Sequence, residues 1–157
     1  MTAMEWHAQQ IEIAAKMLAH FLMSTEAGRR TWSPEGLNQA FGRSALEMVV
    51  ECINVNNRTA AMLNGSPPAA EVSFDTEEQA EEAAVALLAS GRAFAEAVRS
   101  LPEEKLVQEF AMPWGASWSG ALLVSVPTAN MHYHVGQINY IQTLYGDKVF
   151  HTEGLPF

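Results

Sequence analysis

Residues 127–147 read PTANMHYHVGQINYIQTLYGD, and the fold of the whole chain turns on this stretch. It places His132 and His134 around one tyrosine, directly before Gly136 and Gln137. Met131, His134, Ile138, Ile141 and Tyr145 recur at helical spacing and define one inward face, with Asn130, Gln137 and Leu144 beside it. On a helix, residues two apart point to nearly opposite sides, and residues four apart differ by only about 40°. His134 is therefore expected to face a core and His132 to face elsewhere, so the two cannot share one metal ion. The position that could share a ligand with His134 is 130, an asparagine.

The surroundings of this stretch reinforce the helix. Residues 110–146 contain no Asp, Glu, Lys or Arg. Such a gap resembles a membrane span, but Pro113, Gly115, Pro127, Asn130, two histidines, two glutamines and several serines interrupt it. No run reaches the roughly 18 apolar residues that a span requires. A deeply buried helix over 117–144 is the better reading, with Pro127 either kinking it or marking its effective start.

Three further helices are predicted. In the first, Ile11, Ala14, Ala15, Leu18, Phe21 and Leu22 share a face, and the helix ends near Gly28. A connector follows, in which Ser33-Pro34 reads as the start of a short turn that lets Trp32 and Phe41 cover one end of a bundle. The second helix spans 44–63, with Leu46, Val50, Ile53, Asn57 and Ala60 or Ala61 as its stripe. Asn64-Gly65 and Pro67-Pro68 stop it. The third opens at Asp75 or Thr76, with glutamates opposing the positive end of the helix dipole. Ala80, Ala84, Leu87, Leu88, Phe94, Val98 and Leu101 mark its buried face, and Gly91 is placed to allow a close crossing. Pro113-Trp114-Gly115 suggests a loose hairpin or loop before the fourth helix. The expected fold is all-α, a single-domain four-helix bundle over 1–157 whose long connections permit crossovers.

Composition limits the partners. The 157 residues are 48% hydrophobic and 17% charged, enough for one sizeable core. Eighteen acidic against nine basic residues give a formal charge of −9, which repels phosphate backbones and anionic membrane surfaces. Nucleic acid and membrane partners are not expected. Cys52 is the single cysteine and reads as a small buried hydrophobe. The start, MTAMEWHAQQIEIAAK, lacks the basic region and apolar run of a signal peptide, so a cytoplasmic location is expected.

The segments HVGQINYIQTLYGD and GRSALEMVVECINVNNRTAAMLNG, taken together, resemble the DinB/YfiT-like family of four-helix metalloenzymes. The resemblance runs from the first helix to Gly146 and rests on pattern more than identity, with His-x-Gly-Gln at its centre. Members of that family hold a divalent metal between one histidine on helix two and two histidines four apart on helix four. Carried over, His134 takes the place of the last ligand, Asn130 falls where the first helix-four histidine belongs, and Glu51 corresponds to the helix-two histidine. One of the three histidines is present. The substituted set is harder and richer in oxygen, favouring Mn, Mg or Ca over Zn and Ni, with lower affinity.

The resemblance implies a metal-dependent hydrolase or thiol S-transferase acting on a small-molecule substrate, with Glu51, Asn130 and His134 holding a weakly bound divalent metal. The alternative is a metal-free relative in which Glu51 accepts a hydrogen bond from His134, serving small-molecule binding or dimerisation. A homodimer is expected in either case, because the uncharged 110–146 stretch offers more apolar surface than one side of a bundle core consumes. Tyr133, Tyr140 and Trp118 suit either a pocket or such an interface. Gly136 is expected to let a neighbouring helix approach, and Gln137 to bond a facing group.

Overall fold

The computed structural model of the protein describes residues 1–34 and 43–155. Four long helices form within them: α1 (Ala3–Ser24), α2 (Ala45–Leu63), α3 (Ala80–Arg99) and α4 (Gly120–Leu144). A short hairpin of β1 (Glu109–Ala111) and β2 (Ser117–Ser119) precedes α4. The expected turn at Ser33-Pro34 and the role of Phe41 fall on or against 35–42, outside the described residues. Among the described residues no helix is long and apolar enough to cross a membrane.

Three of the four helices begin where the sequence supplies a side-chain acceptor for a free N–H group. Thr2 accepts from the Glu5 amide at α1 and Ser119 from the Leu122 amide at α4. At α2, Ser44 and Glu47 form a reciprocal capping box. A 3₁₀ turn, Glu77–Gln79, follows Thr76 and leads into α3. Gly65 adopts φ +65° after Asn64, which stops α2 as the Asn-Gly pair suggests.

α1 packs against α3 and α4, and α2 packs against the same two helices, so consecutive helices α1 and α2 face each other across a diagonal. Directions follow from side-chain pairings. Arg99, at the end of α3, bonds Glu5 and Glu12 near the start of α1, so those helices are antiparallel. Gln142, near the end of α4, donates to the Phe21 carbonyl and Thr25 hydroxyl at the end of α1, so those are parallel. The backbone of Leu46 bonds Arg30, and Arg30 in turn binds Glu77, which brings the starts of α2 and α3 together beside the end of α1. The order is therefore up, down, down, up. A parallel α2–α3 pair requires residues 64–79 to travel back along the bundle. α2 has 19 residues and measures about 28 Å. Asn54 stitches this return segment to the helix through both the N–H and C=O of Val72.

The core fills from the expected faces, with Ile11, Leu18, Phe21, Leu22, Leu87, Phe94, Met131 and Ile138 fully enclosed. Gly91 meets the expectation of a close crossing: a Cβ there would lie 2.7 Å from the Ala15 Cβ, so α1 and α3 touch where only glycine fits. Two expectations are corrected. On α2 the inward stripe is Leu46, Val49, Ile53, Asn56 and Ala60; Val50 and Asn57 sit half-buried at its edge. Leu46, Ile53 and Ala60 hold their expected places, and the other two positions shift by one residue, to Val49 and to Asn56, which bonds Ser90 and Met131 inside the bundle. Gly136 faces outward, and nothing lies within 4 Å of the position its Cβ would take, so no helix approaches it within the described residues. Pro127 lies inside α4 without ending it.

Candidate functional site

α2 and α4 run antiparallel, and their facing turns bring Glu51, Asn130 and His134 to one place. His134 is 4% exposed, on the inward face between Met131 and Ile138. His132 is exposed on another face, as helical spacing requires. The Nε2 of His134 lies 3.6 Å from Glu51 Oε1 and has no hydrogen-bond partner although it is fully enclosed. Its Nδ1 is 2.6 Å from Gln137 Oε1. Gln137 thus bonds a residue of its own helix one turn back. With the amide oxygen accepting, Nδ1 carries the proton and the Nε2 lone pair points into the α2–α4 seam.

Burial holds the His134 pKa below the ordinary imidazole value, opposed by the Gln137 contact and assisted by the Arg43 charge. The nearby carboxylate does not reverse this, because Arg43 pairs with the other oxygen of Glu51 and offsets its field at the imidazole. His134 is accordingly neutral at pH 7, and an imidazole lone pair faces a carboxylate oxygen. Asn130 sits beside them, with its Nδ2 3.5 Å from Glu51 Oε1 and 3.7 Å from the sulfur of Cys52. The Cys52 thiol is pushed up to about 12 by burial, so it is not a thiolate nucleophile at physiological pH.

Above this cluster a cleft of about 230 Å³ opens between α2, α4 and the hairpin. Glu51 and Asn130 line one part of it; Val55, Met62, Met112, Pro127 and Trp118 supply apolar walls. The hairpin is held in place at its base. Gly120 donates its N–H to the Gln108 carbonyl, and a Cβ on Gly120 would collide with the Lys105 backbone. Phe110 pairs with Trp118 across the strands, Gly115 turns the chain at φ +86°, and Trp114 meets Trp118 edge to face at 5.4 Å. Trp118 is thus a cleft residue, whereas Tyr133 and Tyr140 stand exposed on the outer side of α4.

Of the residues singled out from sequence, Glu51, Asn130 and His134 converge. Three contributors were not foreseen in their roles: Arg43, the ion-pair partner of Glu51; Gln137, the residue that orients His134; and Trp114, the outer half of the tryptophan pair. Arg43 precedes the first turn of α2, where no helical spacing rule connects it to Glu51. Gln137 stands three residues after His134, a spacing at which helical side chains meet, and that signal was available. Among the described residues no group of three or more His, Cys, Asp or Glu side chains is arranged to hold a metal. The third donor would have to be the Asn130 amide.

No protein-family profile matches the chain, and no curated protein sequence matches it. In three dimensions it is similar to the crystal structure of the conserved protein of locus from Enterococcus faecalis, with a TM-score of 0.70 at 15% sequence identity, covering 94% of this chain and 99% of that one. At that identity the likeness is one of fold: both chains share the helical architecture over nearly their whole lengths.

Proposed function

We propose that the α2–α4 cleft is the working site of a DinB/YfiT-like bundle, in which Glu51 and His134, with Asn130 as third donor, hold a divalent cation weakly beside a small-molecule substrate. One observation carries this reading: the enclosed Nε2 of His134, without a hydrogen-bond partner, faces Glu51 Oε1 at 3.6 Å. A lone pair opposite a carboxylate needs a cation or a proton between them, and burial disfavours the proton. Gln137 fixes the ring in the tautomer that ligation uses.

The donor set fits a hard, loosely held ion. One imidazole, one carboxylate and one amide oxygen suit Mn, Mg or Ca better than Zn or Ni. Two features keep affinity low: Arg43 already neutralises Glu51, and the Asn130 amide presents its nitrogen to the carboxylate and must turn to offer oxygen. A bound ion would supply Lewis acidity, lowering the pKa of a coordinated water or thiol, as hydrolases and thiol S-transferases require. Glu51 is the carboxylate placed to exchange a proton at the cleft.

The Arg43–Glu51 pair also favours a second reading, a metal-free polar seam in a bundle that binds a small molecule without turning it over. Thermal melts decide between them. A ligand at 100 times its dissociation constant adds about 2.7 kcal/mol, and one near its dissociation constant adds a few tenths. Melts with and without chelator should nearly coincide, and millimolar Mn should raise the midpoint slightly, an effect lost in Glu51→Gln. Glu51→His with Asn130→His should give a chelator-sensitive melt. Absence of any cation-dependent shift in the unaltered protein would reject the metal reading and leave the metal-free one.

The outer side of α4 supports a homodimer. Leu122, Tyr133, Tyr140 and Leu144 are each between 47% and 64% exposed on a helix without charge. A monomer mass by light scattering at micromolar concentration and above would count against it. A cytoplasmic setting accords with the single, buried thiol.

A further inference from the structure

The cleft has a cationic side chain that the metal reading does not use. Arg58 lines it, seven residues after Glu51 on α2. Seven residues are two helical turns, about 10 Å along the axis. Among the described residues Arg58 makes neither an ion pair nor a side-chain hydrogen bond, in contrast with Arg30, Arg43 and Arg99, each engaged by a glutamate. The carboxylate of Glu51 is answered by Arg43, so it does not satisfy Arg58. Between the two ends the walls are apolar and aromatic, formed by Val55, Met62, Met112, Pro127 and Trp118.

We propose that this cleft binds a small organic acid: a single-ring or similarly sized apolar body lying against Trp118 and Pro127, with its carboxylate on the guanidinium of Arg58. The volume of about 230 Å³ suits such a ligand, since a cavity of roughly 150 Å³ takes one benzene ring. A planar guanidinium with parallel donors matches a carboxylate better than any other side chain does. The protein is acidic overall, at −9, so an arginine without a carboxylate partner in a cleft that also holds two tryptophans is a local positive feature. The far end of the bound molecule then meets Glu51 and Asn130. The proposal deepens the functional reading by naming its ligand class. It rests on the cleft being the site and does not require the metal.

The test compares 3-phenylpropionate with its neutral amide, 3-phenylpropionamide, by ligand-observed NMR and tryptophan fluorescence, in the presence of EDTA. The acid should bind at least about tenfold more tightly than the amide, the discrimination expected of one charge-assisted contact. Arg58→Met and Arg58→Gln should each remove that preference while leaving the affinity for the amide unchanged, and Trp118→Ala should weaken both ligands. Glu51→Gln should keep the preference, so loss of the metal site and loss of the acid site are read separately. Equal affinity for acid and amide, no saturable binding of either at millimolar concentration, or a preference that survives in both Arg58 variants would overturn the proposal.

Discussion

The α1–α3 and α2–α4 interfaces are built on opposite principles. Where α1 meets α3, small residues and glycine bring the backbones together: Gly91 sits against Ala15, Phe94 is fully enclosed, the Arg99 clamp closes one end, and Lys16 and Arg92 lie at the solvent edge. Where α2 meets α4, Glu51, Asn130, His134 and Asn56 are placed in the seam, the Asn56 Oδ1 and His134 Nε2 atoms lack partners, and a cleft opens beside them. A buried polar atom without a partner lowers stability, so a seam holding two is not arranged for stability alone. One side of the bundle secures the fold, and the other, at some cost in stability, carries the candidate site.

This contrast predicts unequal responses to substitution. The largest effect should come from α1–α3: Phe94→Ala is expected to cost about 4 kcal/mol, measured by urea unfolding, because the site cannot collapse around the lost ring. Gly91→Val should cost somewhat less, about 2–3 kcal/mol, since the helices must separate to admit the side chain. If Gly91→Val were neutral, the close crossing would not be the feature that secures this side.

In the other interface, replacing both the enclosed His134 and the half-buried Glu51, as Glu51→Leu with His134→Leu, should change stability by no more than about 1 kcal/mol, since an apolar seam replaces a costly polar one. The same double variant should abolish any cation-dependent shift in the melt. A loss comparable to that of Phe94→Ala would show that the polar seam holds the bundle together and erase the distinction between the two sides.

The smallest effect is a pH dependence. Burial lowers the folded-state pKa of His134 below its unfolded value of about 6.5. The unfolded chain then binds the proton more readily, so this residue's contribution to stability is fully present above pH 6.5. It declines as pH falls from there and levels off below the folded pKa. His134→Gln should flatten the stability profile in that window, whereas His132→Gln, on the exposed face, should leave it unchanged. Equal profiles for the two variants would remove His134 from the buried seam.

The register of α4, the inward turn of His134, the hairpin at Pro113-Trp114-Gly115 and the close approach at Gly91 were all legible in the chain itself. Each follows from a local rule: 3.6-residue periodicity, the conformational range of glycine, or the inability of a turn to continue a helix. Sequence also set the limits on charge and the shortage of histidines around His134. Tertiary structure decided the rest, because it depends on residues far apart in the chain. That Asn56 and not Asn57 turns inward on α2 goes with its contacts to Ser90 and Met131 on two other helices. The outward face of Gly136 was fixed by which side of α4 the partner helices occupy. The enclosure of His134 Nε2 opposite the Glu51 carboxylate arises only when α2 is laid against α4. Periodicity says which side of a helix turns inward, but packing alone says what it meets there.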